Sequence, residues 1–205
     1  YGEAFFLKNY RFESLDFSHQ VSPGIVFNHN FTHIGLNREE QVYWGSANTF
    51  PISINQFQYY FNPYVVMGEK VNLSPSLTFL WGNSDLFLGN FTPGTFYQTD
   101  YNFSDWILST SSWIHFGNFS PGAEINLANI QDTKFTQFSG WFTFYPFSNL
   151  NLYLTPRIYF KNGPEKSISH NATGISGGIQ AGPVHFYGQY IQGDLKNFIE
   201  PAGYV

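Results

Sequence analysis

Of the 205 residues, 43 are aromatic and only 23 are charged, and the formal net charge is -5. A soluble domain carries roughly 25% charged residues, so a chain at 11% has a surface built for something other than plain water. The aromatic content excludes disorder, no run approaches the ~18 apolar residues of a spanning helix, and nine scattered Lys and Arg give nucleic acid no basic patch to meet.

Asn, Gln, Ser and Thr supply 59 residues, so the chain is polar without being charged. Cys is absent, which excludes a disulfide framework, thiolate chemistry and Cys metal ligands. The sequence begins at Tyr1 with no signal-peptide pattern, so the expectation is either a mature form after cleavage or a cytosolic protein, and composition favours the former. At this length one all-β domain over 1–205 is expected.

Strand signals dominate in chain order. Period-2 alternation predicts strands near 3–16, 21–34, 52–62, 70–82, 105–117, 122–130, 134–146, 149–161, 172–182 and 184–193. In 21–34 the apolar face is Val21, Ile25, Phe27 and Phe31. In 71–81 it is Val71, Leu73, Pro75, Leu77, Phe79 and Trp81, against Asn72, Ser74, Ser76 and Thr78. The segment 135–146 sets Phe138, Phe142 and Phe144 against Gln137 and Thr143. The clearest run is 149–161, where Leu150, Leu152, Leu154, Pro156, Ile158 and Phe160 alternate with Asn151, Tyr153, Thr155, Arg157, Tyr159 and Lys161. Pro75 and Pro156 fall inside strands and are expected to mark bulges or breaks in pairing.

These runs are long for soluble strands and match the ~9–11 residues of a tilted strand crossing a bilayer. Short links (17–20, 63–69, 118–121, 147–148 and Gly182-Pro183) largely alternate with longer ones (35–51, 83–104, 131–133 and 162–171). That order predicts an antiparallel up-and-down barrel of about 10–12 strands with one plain and one decorated end. The same order starts strand one at the decorated end. Barrels normally hold both termini at the plain end, so the expectation is a twelve-stranded barrel with one strand lacking at each end of this chain. The competing account is a misplaced first turn.

The runs Trp141-Phe142-Thr143-Phe144-Tyr145-Pro146 and Gln58-Tyr59-Tyr60-Phe61-Asn62-Pro63 read as strands ending in aromatic belts. Together with the alternating strands of 134–161 and the Asn-, Gly- and Asp-rich segment 83–104, they carry a resemblance to the outer-membrane β-barrel class of Gram-negative bacteria. The resemblance is one of pattern over nearly the whole chain, without a family motif. The ending Glu200-Pro-Ala-Gly-Tyr-Val205 departs from the aromatic-terminated last strand of many members. The class implies short periplasmic turns, longer outer loops, a lipid-facing wall and residence in the bacterial outer membrane.

By parity Glu124 and Arg157 lie opposite the apolar faces of their strands and point inward, sharing the interior with Gln137, Tyr153 and Tyr159. Inward charges in a small barrel are paired and hydrogen-bonded for structural reasons. The functional reading is a charged lining of a narrow pore. Alternation in 3–16 leaves the faces of Lys8, Arg11 and Glu13 unassigned. A second candidate is the aromatic set Phe87, Phe91, Phe96, Tyr97, Tyr101 and Phe103 in the predicted loop 83–104, placed to contact a partner or ligand or to pack over the mouth.

Enzyme signals are weak. Ser18-His19 and Ser169-His170 are adjacent, so on strands they face opposite ways, and His29 and His33 stand ~13 Å apart along a strand, too far for one metal. The reading is therefore a non-enzymatic, porin-like outer-membrane barrel without cofactor or metal, touching the bilayer and a protein partner through loops or wall. It is either a narrow channel for small solutes or a structural subunit of an outer-membrane complex. The alternatives are an outer-membrane lipid-modifying hydrolase or acyltransferase, and a soluble β-sandwich that binds carbohydrate.

Overall fold

A computed structural model of the chain describes residues 2–44, 46–90, 95–163, 169–193 and 199. Ten strands follow one another: β1 (Gly2–Ser22), β2 (Ile25–Trp44), β3 (Ser46–Met67), β4 (Val71–Asn90), β5 (Thr95–Ile114), β6 (Phe119–Ile130), β7 (Thr133–Phe144), β8 (Leu152–Asn162), β9 (Ser169–Ala181) and β10 (Val184–Gly193). They form one sheet in which each strand pairs with its neighbour in sequence, from β1 at one edge to β10 at the other. The up-and-down order expected from the link lengths is the observed one.

Alternation explains the faces. On β6, β7 and β8 the exposed positions include Ile125 at 46%, Phe138 at 45% and Ile158 at 47%. The buried positions are Glu124 at 3%, Asn126 at 0%, Gln137 at 0%, and also Ser139, Thr143 and Thr155. This inverts a soluble protein, which buries its apolar side chains and hydrates its polar ones. An exposed apolar wall of this extent requires an apolar solvent, and strands β6 to β10, at 10 to 13 residues, have the length that crosses one when tilted. Exposed Phe116, Phe119, Phe144 and Phe147 continue the apolar wall to the short-turn end.

Turn chemistry sets the register. Gln131 and Asp132 both take positive φ, 50° and 59°, as a two-residue type I′ hairpin requires. The pairing then runs unbroken from Ile130↔Thr133 to Phe119↔Phe144. Gly24 has φ 84° and Gly182 has φ 61°, conformations that a Cβ disfavours, and each closes a tight turn beside a proline. Pro156 creates no bulge. The β7–β8 register is the same at Trp141↔Arg157 and Phe144↔Leu154, but the ladder lacks its rungs between them. The missing proline N–H is the cause, and Thr143 and Thr155 join their hydroxyls across the gap at 2.9 Å.

Several expectations need correction. The first turn lies at Pro23-Gly24 rather than 17–20, because β1 continues past Phe17 to Ser22. Its direction is unchanged. The predicted loops 35–51 and 83–104 are mostly strand: β2 runs to Trp44, β4 to Asn90, and β5 begins at Thr95. Apolar alternation fades there, but backbone pairing persists and is reinforced by polar side chains. The Asp85 carboxylate accepts from the Ser53 N–H at 2.8 Å, and the Gln98 amide donates to the Pro51 carbonyl at 2.9 Å. The turn expected at 118–121 falls between Ile114 and Phe119, so Phe119 opens β6.

Contacts group the chain into two compact units, the first being Tyr1–Phe17, His29–Tyr60 and Phe79–Asp105, the second Ser18–Asn28, Phe61–Thr78 and Trp106–Val205. Within the first, Phe31, Phe57, Phe79 and Trp81 stack into one aromatic patch, with centroids 5.5 to 6.3 Å apart. The second contains β6 to β10 and the polar buried face described below.

The inverted faces lead to a first expectation. Ile125→Arg, at mid-strand on the exposed face, should destabilise the protein by about 2–4 kcal/mol in urea unfolding from lipid vesicles. A cost below about 0.5 kcal/mol, as on a hydrated surface, would contradict a lipid-facing wall.

Candidate functional site

The buried face of β6, β7 and β8 carries every second residue: Glu124, Asn126 and Ala128; Phe135, Gln137, Ser139, Trp141 and Thr143; Tyr153, Thr155, Arg157, Tyr159 and Lys161. Register makes neighbours of them, with Glu124↔Ser139, Ser139↔Tyr159, Trp141↔Arg157 and Gln137↔Lys161 opposite one another. All five predicted interior residues, Glu124, Gln137, Tyr153, Arg157 and Tyr159, lie on this face. Glu124, Gln137 and Tyr159 are buried, while Tyr153 and Arg157 are half-buried beside open space.

Each polar group has a specific setting. The Glu124 carboxylate accepts from the Asn126 amide at 3.0 Å, and the Ser109 hydroxyl donates to the Asn126 carbonyl. The Arg157 guanidinium stacks 4.3 Å from the Trp141 ring centroid and 5.9 Å from that of Tyr159. The Lys161 ammonium sits 4.4 Å over the Phe135 ring. Such contacts offset part of the desolvation of a buried cation. Two atoms on this face are buried without a hydrogen-bond partner among the described residues: Ser139 Oγ and Arg157 Nη1.

Glycines open the room for these rings. A Cβ on Gly122 would fall 2.3 Å from Trp141 Cζ2, and one on Gly178 would fall 2.6 Å from Tyr153 Cε1 and 2.7 Å from His185 Nε2. The indole lies flat over β6 because position 122 has no side chain. Among the described residues, three cavities border this face. One of about 380 Å³ sits at the short-turn end between Tyr145, Tyr153, Gln180 and His185. One of about 280 Å³ lies between Arg157, Tyr153, Tyr159, Tyr187 and Gln189. One of about 260 Å³ lies between Glu124, Trp113, Trp141 and Arg157. Burial raises the Tyr145 phenol above its ordinary value, so it borders the first cavity as a neutral group.

Ile199 enters the same face. Its N–H donates to Gln137 Oε1 at 3.1 Å and its carbonyl accepts from Gln137 Nε2 at 2.7 Å. Its side chain is fully buried against Ile107, Ala128 and Phe135. The expected strands end at 193, and nothing local in the sequence joins residues 137 and 199, so this contact has no signal there. The sequence reading assigns Trp141 to an aromatic belt. Parity with Gln137 and Thr143 was the available signal, and it puts Trp141 inward while Phe142 and Phe144 face outward.

The second candidate set is not assembled as an exposed loop. Phe91 lies outside the described residues, as do the side chains of Phe87 and Phe96. Tyr97 is exposed on β5, and Tyr101 and Phe103 stack on the same strand with centroids 6.3 Å apart. The Phe103 ring packs toward Gly82, where a Cβ would lie 3.0 Å from its Cζ. Tyr97, Tyr101 and Phe103 are strand side chains, because β5 already begins at Thr95.

The histidines are used in packing. His29 stacks on Phe17 at 4.3 Å, and His33 stacks on Phe57 at 4.7 Å. The His33 ring nitrogens face Glu13 Oε2 at 3.1 Å and Asn55 Oδ1 at 2.7 Å. Among the described residues, no three His, Asp or Glu side chains converge as metal ligands do.

No protein-family model matches the chain, and no curated protein matches it. Among solved structures, the beta domain of the Bordetella autotransporter BrkA is similar, with a TM-score of 0.50 at 13% identity over 93% of each chain. The in-vitro folded OmpT, an outer membrane protein of Vibrio cholerae, gives a TM-score of 0.37 at 9% identity, over 94% of this chain and 84% of that one. The first likeness shows the fold, an antiparallel β-barrel of the outer-membrane type.

Two expectations test the site. Gly122→Ala should displace the indole and lower stability by about 1–3 kcal/mol, read as a shifted urea midpoint. In the otherwise Cys-free chain, Ile199→Cys should react slowly with a maleimide in the native protein. Adding Gln137→Ala should speed the labelling about tenfold, as expected for losing about 1.4 kcal/mol of hydrogen bonding.

Proposed function

We propose that the chain is an integral, non-enzymatic protein of the bacterial outer membrane that forms a narrow channel for small polar solutes. Its apolar outer wall supports the membrane assignment. The observation that carries the channel reading is the run of cavities along the buried face, bordered by Thr143, Tyr153, Thr155 and Arg157. Hydroxyl, amide and phenol groups can replace part of a solute's hydration shell there. A barrel of ten to twelve strands is little wider than an eight-stranded one, whose side chains fill it, so the path is narrow.

The non-enzymatic reading draws on the histidines. His33 has both ring nitrogens turned to oxygen acceptors, which leaves neither as a general base for a serine. A second reading, a structural subunit of an outer-membrane complex, is favoured by the Gln137–Ile199 clamp, since there the chain fills its own interior.

Protein folded in detergent and added to a planar lipid bilayer should give small, discrete conductance steps. Repeated insertions of protein that migrates as a heat-modifiable folded band, without any steps, would overturn the channel in favour of the structural subunit.

A further inference from the structure

The polar face holds one cation whose surroundings point to a ligand. We propose that Arg157 is the core of an anion site in the barrel interior and gives the path its preference for small anions, carboxylates among them. This rests on the channel reading for its effect on conduction, but the site itself does not.

The guanidinium is placed from the backbone outward. Arg157 lies at mid-strand on β8, directly opposite Trp141 on β7. The indole is seated over Gly122, and the guanidinium lies 4.3 Å from its centroid. Stacking covers one face of the guanidinium and leaves its donors in the plane of the fork. One of those donors, Nη1, is buried with no hydrogen-bond partner among the described residues. A buried charged donor left unsatisfied is costly; the residue as a whole is only half-buried and borders open space, so the remaining donors of the fork are the ones an anion there can reach.

That space exists on both sides. Arg157 borders the 280 Å³ and the 260 Å³ cavities. The larger is bordered by Arg157 and by Tyr153, Tyr159, Tyr187 and Gln189, with no carboxylate among the described residues of its walls. The smaller includes Glu124, whose Oε1 already accepts from Asn126. An anion entering the larger cavity thus meets the Arg157 guanidinium and the Tyr153 phenol, while the Tyr187 hydroxyl already donates to Gln189 Oε1. A planar carboxylate matches the guanidinium fork with two parallel hydrogen bonds. Low-dielectric walls strengthen the attraction beyond its value in water.

Two measurements test the inference. The first is the reversal potential of single channels across a tenfold KCl gradient. The native protein should reverse on the chloride side. Arg157→Gln should cut the chloride-to-potassium permeability ratio at least about fivefold, Arg157→Lys should retain most of it, and Glu124→Gln should raise it. A native protein that reverses on the potassium side, or an Arg157→Gln protein with an unchanged ratio, would overturn the proposal.

The second measurement does not need conduction. The fluorescence assigned to Trp141, as native protein minus Trp141→Phe, should be quenched by iodide more strongly than by neutral acrylamide. Arg157→Gln should abolish that excess, and competing potassium acetate should reduce it. Arg157-dependent iodide quenching in a protein without conductance would retire the channel and keep the site. Equal quenching in native protein and Arg157→Gln would retire the site whether or not the protein conducts.

Discussion

Hydrocarbon offers no hydrogen-bond partner to a peptide group, and the rest of this molecule follows from that. Every backbone N–H and C=O at membrane depth has to be met by a neighbouring strand. The chain therefore folds as ten strands, each bonded to the next, joined by turns whose backbone is set by Gly24, Gly182 or the left-handed pair Gln131-Asp132. With the backbone satisfied between strands, side chains are free to sort by solvent. Apolar residues such as Ile125, Phe138 and Ile158 go outward, and the neutral polar residues go in.

Placing polar groups inside creates a second problem, which the interior solves locally. Low dielectric makes every unmet donor or acceptor costly. The remedies are particular: Asn126 binds Glu124, Gln137 holds the Ile199 backbone, Trp141 covers Arg157, and Phe135 lies under Lys161. The rings that serve these charges need space, which Gly122 and Gly178 provide by lacking a side chain. Hydroxyls and amides thus dominate an interior in which charges are few and individually accommodated, and the low charge content of the whole chain is a consequence.

How much of this is legible in the sequence depends on which force acts. Where one face meets lipid, alternation is sharp, and the inward positions of Glu124, Gln137, Tyr153, Arg157 and Tyr159 can be read from parity alone. Where strands are held by pairing without a lipid-facing stripe, as in 35–51 and 83–104, alternation fades and the segments resemble loops. Trp141 is misread because aromatic residues in a strand suggest a belt, and parity has to overrule composition. The contact between Gln137 and Ile199 spans 62 positions and has no local signature at all.

Pro156 links these themes. Its ring removes one N–H from the β7–β8 ladder, and the two flanking pairs, Trp141↔Arg157 and Phe144↔Leu154, bracket a stretch held by a hydroxyl–hydroxyl bond between Thr143 and Thr155. That bond lies on the interior side of the strands, with both hydroxyl residues buried. The seam between β7 and β8 is therefore short of backbone pairing at this point, and Arg157 stands on its border. The guanidinium thus sits one residue from the point where a backbone bond is exchanged for a bond between side chains.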